Sequence, residues 1–341
     1  MIRCAAAAGA LGLLLLLTGC HTTHASPASV NSWSPSPGNG APSQPSATGK
    51  VLSVAVGGDD RNAGTETEPL ATIDRGLRLA RAGDTVAVQP GTYAPASFVR
   101  GGTAEAPITL LGIGDVELKG DGSGIGITAE NVQHIVIEGF HVEGFQVGIA
   151  LAETSSAVVR GNTVTGNDDT GIQNWKVDDV KIVGNRLLDP GVPGTSDAVQ
   201  DYGVNFYYSS KVEALDNYFF GRHNQALSFK RRVVDGAAIG NTFEGCLYTC
   251  IYVGQNDDDQ NGDMTSVRIT VKGNRFRAVT QDGVVYQVRT PIAVRNVQFA
   301  VVQDNVFDPS CEQTVFFASS PSTTGLSPGQ NTVSDNVTRP W

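Results

Sequence analysis

Charge is scarce in this chain: 17 % of its 341 residues are Asp, Glu, Lys or Arg, and aromatic residues make up 7 %. Together with 40 glycines, that composition suits stacked short strands with tight turns better than it suits helices. Basic residues are outnumbered, 24 Lys and Arg against 34 Asp and Glu, leaving a net charge of −10. No basic stripe offers the counterion release that drives binding to a phosphate backbone, so a nucleic-acid partner is excluded. Cysteine is limited to 5 residues, and no Cys/His spacing resembles a zinc site. The apolar run from Ala5 to Leu17 is too short and too weakly flanked for a stable membrane span. What these absences leave open is one elongated domain that binds a small neutral ligand or an anionic one bridged by a metal.

The N-terminus reads as an address. Arg3, the apolar run and then Leu17-Thr18-Gly19-Cys20 resemble a bacterial lipoprotein signal with its lipobox. The resemblance implies a signal peptide over 1–19, cleavage before Cys20 and acylation of that thiol, which would hold the protein at the outer face of the cytoplasmic membrane. Residues 20–49 are rich in Ser, Pro, Thr and Ala, the composition of a disordered tether to a folded domain over 50–341. Export to an oxidising compartment allows a small-loop disulfide between Cys246 and Cys250, or no bridge, with Cys311 buried and free.

An asparagine returns once per stretch of chain, at Asn162, Asn185, Asn217, Asn241, Asn274 and Asn305, most often after Gly or Asp. Ten residues after five of them comes an apolar position, Ile172, Leu227, Ile251, Val284 and Val315; Asn185 reaches its equivalent, Val204, after a longer loop. A constant offset with short strands and Gly/Asn turns predicts a parallel β-solenoid, one coil per asparagine, with loops such as Asp189–Asp197 and Asp257–Asp263 inserted between coils. Upstream, Val51–Val56 predicts an opening strand. Thr72–Arg81 predicts an amphipathic helix that covers the open end of the first coil.

The run Gly58-Asp59-Asp60, Gly64-Thr65, Pro69-Leu70-Ala71-Thr72-Ile73, Gly83-Asp84-Thr85-Val86 and Pro90-Gly91-Thr92-Tyr93 resembles the entry segment of the pectate-lyase superfamily, particularly polysaccharide lyase family nine. With the coils, the resemblance covers about residues 51–335. It implies an all-β fold, a right-handed single-stranded parallel β-helix with a short N-terminal capping helix.

Side chains alternate faces along a strand, so the residues flanking the inward position point outward. One outer face is thus expected to carry Gln173 and Trp175, Asn205 and Tyr207, Ser228 and Lys230, then Tyr252 and Gly254. The turns before these strands hold Asp168 and Asp169, Asp197 and Asp201, then His223 and Asn224. Coils stack at about 4.8 Å, so carboxylates of neighbouring turns fall close enough to share a hard cation, and calcium is the candidate.

That arrangement suits β-elimination on a uronic-acid polysaccharide, which needs neutralisation of the sugar carboxylate, a base for the proton beside it and an acid for the leaving oxygen. The resemblance to family nine implies calcium held by Asp168, Asp169, Asp197 and Asp201, with Lys230 as base. Tyr207, Tyr252 and His223 are the candidate acids; Trp175, Gln173, Asn205, Ser228, Arg231 and Arg232 are candidate contacts to sugar. The stretch Leu227-Ser228-Phe229-Lys230 is also similar to the lysine coil of the alginate lyase and chondroitinase B family. That family places an arginine on the next coil, where this chain has Val253 and Gly254, so Arg231 or Arg289 would have to substitute. The first half of Asp257–Asp263 matches a calcium loop, but Arg268 stands where a complete EF-hand needs Glu. The expected protein is a monomeric, lipid-anchored lyase acting on a pectate-like acidic polysaccharide. A glycoside hydrolase with Asp169 and Asp201 as acid and base, an epimerase and a non-catalytic glycan-binding protein are the alternatives.

Overall fold

The computed structural model describes residues 49–189, 202–254, 265–281, 283–318 and 331–340. Cys20, the signal and nearly all of the tether, Asp197, Asp201 and the Asp257–Asp263 loop lie outside the described residues. Among the described residues no helix is long and apolar enough to cross a membrane.

Three parallel sheets wrap one core. The first sheet runs from strand Val51–Val54 to Thr332–Ser334, the second from Gly91–Tyr93 to Val337–Thr338, and the third from Ala96–Phe98 to Val315–Ala318. The chain visits the sheets in that order and returns one coil further on. Parallel crossovers of this kind are right-handed because twisted strands pack back onto their sheet only that way. The expected opening strand forms over Val51–Val54, and the helix over Ile73–Leu79 with Thr72 as its cap, the Thr72 side chain accepting from the Arg75 amide. Ile73 and Leu77 are buried, so the helix covers the first coil. Gly76 lets it approach: a Cβ there would stand 2.6 Å from a Val86 methyl.

The recurring asparagines form an internal ladder rather than exposed turns. Each of Asn162, Asn185, Asn217, Asn241, Asn274 and Asn305 is at most 1 % exposed. The side-chain oxygen of Asn185 accepts from the Asn162 backbone amide and side chain, both at 3.0 Å, and the same pair of bonds recurs down to Asn336. The amide nitrogen also donates to a carbonyl of the preceding coil, as Asn241 does to Ala214 at 2.9 Å. All three polar functions are therefore satisfied where no water reaches. The preceding residue explains the Gly/Asp preference. Gly161, Gly184, Asp216, Gly240, Gly273 and Asp304 sit at φ between 52° and 69°, left-handed backbone that Gly adopts freely and Asp tolerates. Beside the ladder, Phe219, Phe243, Phe276 and Phe307 stack at 4.7, 4.9 and 5.3 Å between ring centroids.

The inward position of the third sheet falls where expected in five coils, ten residues after the asparagine at Ile172, Leu227, Ile251 and Val315 and after the longer loop at Val204. It departs in one: the partner of Ile251 is Ile292, not Val284. Val284 belongs to an antiparallel hairpin, Val279–Gln281 with Val284–Tyr286, which is inserted before the strand Val288–Arg295 and so displaces the offset. The hairpin is anchored by Tyr286, whose ring lies 4.8 Å from that of Phe220. Cys246 and Cys250 form a disulfide with 5.4 Å between their Cα atoms. Cys311 is free, but it is half-buried rather than buried; its thiol contacts the Phe276 carbonyl, and desolvation pushes its pKa up to about 12.

Candidate functional site

The register of the third sheet puts Trp175, Tyr207, Lys230, Gly254 and Arg295 in one column along the solenoid axis, with Gln173, Asn205, Ser228, Tyr252 and Ala293 in a second column beside it. Both face away from the core, since the residues between them, Asn174, Phe206, Phe229, Val253 and Val294, are all buried inside. This is the face expected from alternation. Its exposure is less uniform than alternation implies. Trp175 is 36 % exposed, whereas Lys230 is 8 % exposed, Tyr252 4 % and Ser228 fully buried.

Lys230 is held by phenols. Its ammonium nitrogen donates to the Tyr202 hydroxyl at 3.1 Å and lies 4.6 Å from the centroid of the Tyr202 ring and 5.1 Å from that of Tyr252. Ring faces attract a cation electrostatically, and the attraction grows as water is removed. Tyr202 in turn hydrogen-bonds Tyr207 and meets its ring edge-on at 6.3 Å. Burial, followed by that hydrogen bond, holds the Tyr207 phenol above its ordinary pKa, while the nearby Arg231 guanidinium, 5.6 Å from the ring centroid, opposes the shift. Tyr207 is therefore a protonated phenol at any physiological pH.

Tyr202 is the residue that alternation misses. Counting back from inward Val204 by two makes Tyr202 inward. The strand breaks its alternation at Gly203, however, where a Cβ would meet the Ala226 carbonyl oxygen at 2.5 Å and the Phe219 ring at 3.0 Å. The equivalent position on other coils is also small, Gly126, Gly148, Gly171 and Ala226, and this repeating small residue is the signal by which the shift could be read. Because Gly203 and Val204 both face inward, Tyr202 reaches the outer face beside Lys230.

The other candidates divide. His223 is fully buried in the turn before the Gln225–Lys230 strand, its Nε2 3.3 Å from the Leu187 carbonyl oxygen, its Nδ1 without a hydrogen-bond partner and its ring edge-on to Phe219. Desolvation lowers its pKa, with the Asp189 charge opposing. It lies away from the face. Asp168 is exposed and Asp169 half-buried, the latter accepting from the Thr170 hydroxyl at 3.3 Å and, through its backbone carbonyl, from the Tyr202 amide at 3.1 Å. Among the described residues no three Asp, Glu, His or Cys side chains come together as a metal site. Of the four expected calcium ligands, Asp168 and Asp169 are the two that lie among the described residues. Arg231 and Arg232 occupy consecutive left-handed positions, φ 55° and 67°, at the bend that leaves Lys230; Arg289 is exposed near the start of its strand. Arg295 is the cation that lies in Lys230's own column, two coils on across the side-chain-free Gly254.

A family model described as a right handed beta helix region matches residues 113–232. No curated protein matches the chain. Among solved structures, an alginate lyase from Paenibacillus sp. str. FPU-7 is similar at TM-score 0.53 and 14 % identity, over 85 % of this chain and 99 % of that one. A rhamnogalacturonan lyase gives 0.52 and 12 % over 84 % and 87 % of the two chains, and a protein titled glycoside hydrolase 0.52 and 10 % over 84 % and 96 %. At such identities the likeness is one of fold, and it spans lyases and a hydrolase alike. The chain is a right-handed parallel β-helix.

Proposed function

We propose that this protein is a polysaccharide lyase that cleaves a uronic-acid polymer by β-elimination on the outer face of the third sheet, with Lys230 as the base. The observation that carries the reading is the placement of Lys230: an amine 8 % exposed, on an outward strand position, gripped by the Tyr202 hydroxyl and two aromatic rings. A lysine kept for solubility would project into water; one kept for proton transfer needs desolvation and a fixed direction.

The elimination breaks the C–H bond beside the sugar carboxylate and the C–O bond to the leaving sugar, and forms a C=C bond. The Lys230 amine takes the proton. Of the three candidate acids, His223 and Tyr252 are buried and Tyr207 keeps exposed surface on the face, so Tyr207 donates to the leaving oxygen. Arg231 and Arg295 supply positive charge for the substrate carboxylates. Gln173 borders the same face, whereas Asn205 is 1 % exposed, its side-chain oxygen accepting from the Asn174 amide and its nitrogen donating to the Thr170 hydroxyl.

The test is absorbance near 235 nm, where the unsaturated product absorbs, on a panel of uronic-acid polysaccharides. Wild type gives a rising signal and Lys230→Ala none; a panel without any signal overturns the lyase reading. A chelated sample decides the expected calcium, which would draw on Asp168, Asp169, Asp197 and Asp201. Loss restored by calcium supports it, and undiminished activity assigns charge neutralisation to the arginines. The lipid anchor at Cys20 and location at the outer face of the membrane belong to the same proposal, tested by detergent partitioning of wild type against Cys20→Ala.

The hydrolase reading has one observation in its favour, the half-buried Asp169 beside Tyr207. It predicts reducing ends without absorbance at 235 nm, and activity that survives Lys230→Ala but not Asp169→Asn.

A further inference from the structure

Trp175 stands at the start of the Lys230 column, and its surroundings are unlike those of any other side chain on that face. On its downstream side the ring is braced by Tyr207, tilted at 5.8 Å between centroids, and by Tyr208, edge-on at 4.8 Å. Tyr208 reaches it because its backbone is left-handed, φ 53°, which carries its side chain round the bend. On the upstream side the coil partner of Trp175 is Ala152, and that of neighbouring Gln173 is Ala150. Small side chains there leave the far side of the indole open, which is why Trp175 keeps 36 % of its surface exposed. A large ring fixed on one side and bare on the other is the arrangement that stacks against the C–H face of a sugar.

Trp175 pairs with Tyr207 and Tyr207 with Lys230, so the indole lies two coils from the base, about 10 Å at the stacking distance of parallel strands. A sugar unit in an extended polysaccharide spans about the same length as one coil, so a chain laid along the column meets one coil per sugar. We infer that Trp175, with Tyr207 and Tyr208 behind it, forms a distal sugar subsite two units from the bond cleaved at Lys230, and that this subsite makes the enzyme select for substrate length. The subsite recognises the apolar face of a sugar ring, whereas charge recognition lies at the Lys230 and Arg295 end of the column. The inference rests on the lyase reading for the position of the bond, but not for binding.

The experiment takes purified oligosaccharides of two to six units from whichever polymer the wild type depolymerises, and compares kcat/KM for wild type, Trp175→Ala and Trp175→Phe. Wild type should gain about tenfold on the length step that first fills the distal position, equivalent to about 1.4 kcal/mol. Trp175→Ala should lose that gain, and Trp175→Phe should keep most of it. A Trp175→Ala variant with unchanged length dependence, or one that is slower on every length alike, overturns the subsite. Binding is read separately in an inactive Lys230→Ala protein that also carries Trp33→Phe and Trp341→Phe, so that Trp175 is the sole indole. Its emission should shift with the longer oligomers and not with the dimer; an equal response to all lengths overturns the distal placement. Absence of unsaturated product from every polymer overturns the lyase reading instead. Indole emission that still shifts with uronic-acid oligomers in that case keeps the sugar subsite, and emission that responds to none of them removes it.

Discussion

The first and third sheets are built on the same coils, yet their outer faces carry opposite chemistry. On the first sheet charges pair from coil to coil: Arg160 with Glu138 at 2.7 Å, Lys181 with Glu213 at 2.8 Å, and Arg268 with Asp235, all substantially exposed. Such pairs hold their groups in the ionised form, as the Glu213 hydrogen bond does for Lys181, and in water each contributes little to stability. On the third sheet Lys230 is desolvated and its partners among the described residues are phenols and rings. One scaffold thus keeps lysine ion-paired in water on one side and desolvates it among aromatic rings on the other. The difference lies in what the next coil presents.

The largest effect that would break this contrast is on rate. Lys230→Ala should reduce product formation by at least about a thousandfold, while Lys181→Ala leaves the rate unchanged and shifts stability by less than about 1 kcal/mol. Equal effects from the two variants would show that the faces do not differ functionally. Both faces hang on the asparagine ladder, so Asn241→Ala should damage both. It removes bonds to Ala214, Asn217 and Asn274, and urea unfolding should show a loss of about 3 kcal/mol from the buried groups left unpaired. A smaller loss is expected from a Cys246→Ser, Cys250→Ser variant. A loop of that length contributes about 2 kcal/mol in the chain-entropy model, again read from the urea midpoint.

The smallest effect concerns His223, in the turn leading to the lysine strand. Burial depresses its folded-state pKa below the unfolded value of about 6.5, so the unfolded chain binds the proton more readily. Stability should be full above about pH 6.5 and fall as pH drops below it. His223→Gln should flatten that part of the Tm-against-pH curve. An unaltered curve would show that the imidazole does not carry the dependence.

Much of the fold was legible because a solenoid repeats its instructions. The asparagine period, the Gly or Asp before it and the apolar position ten residues on each answer to one physical requirement: a ladder, a left-handed turn and an inward side chain. The one displaced offset, Val284 in place of Ile292, arose because a hairpin insertion adds chain without changing the apolar character that alternation detects. At the candidate site, the columns holding Trp175, Tyr207, Lys230 and Tyr252 followed from alternation alone. Tyr202 did not, since two consecutive inward residues at Gly203 and Val204 reverse the count. Arg295 did not either, because the same insertion hid its register. His223 was placed in the right turn, but whether a turn residue points in or out depends on the neighbouring coil, here Leu187 and Phe219.

The sequence by itself determined a repeating parallel solenoid with a capped first coil and one outer face rich in amides, rings and a lysine. These follow from periodicity, which each coil satisfies locally. Only the tertiary structure decided that the asparagines are internal, that Lys230 is desolvated rather than solvated, and that Tyr202 and Arg295 share its face. Those properties belong to pairs of coils separated by long stretches of chain, and burial and hydrogen bonding are set by what stacks on a residue, not by what precedes it.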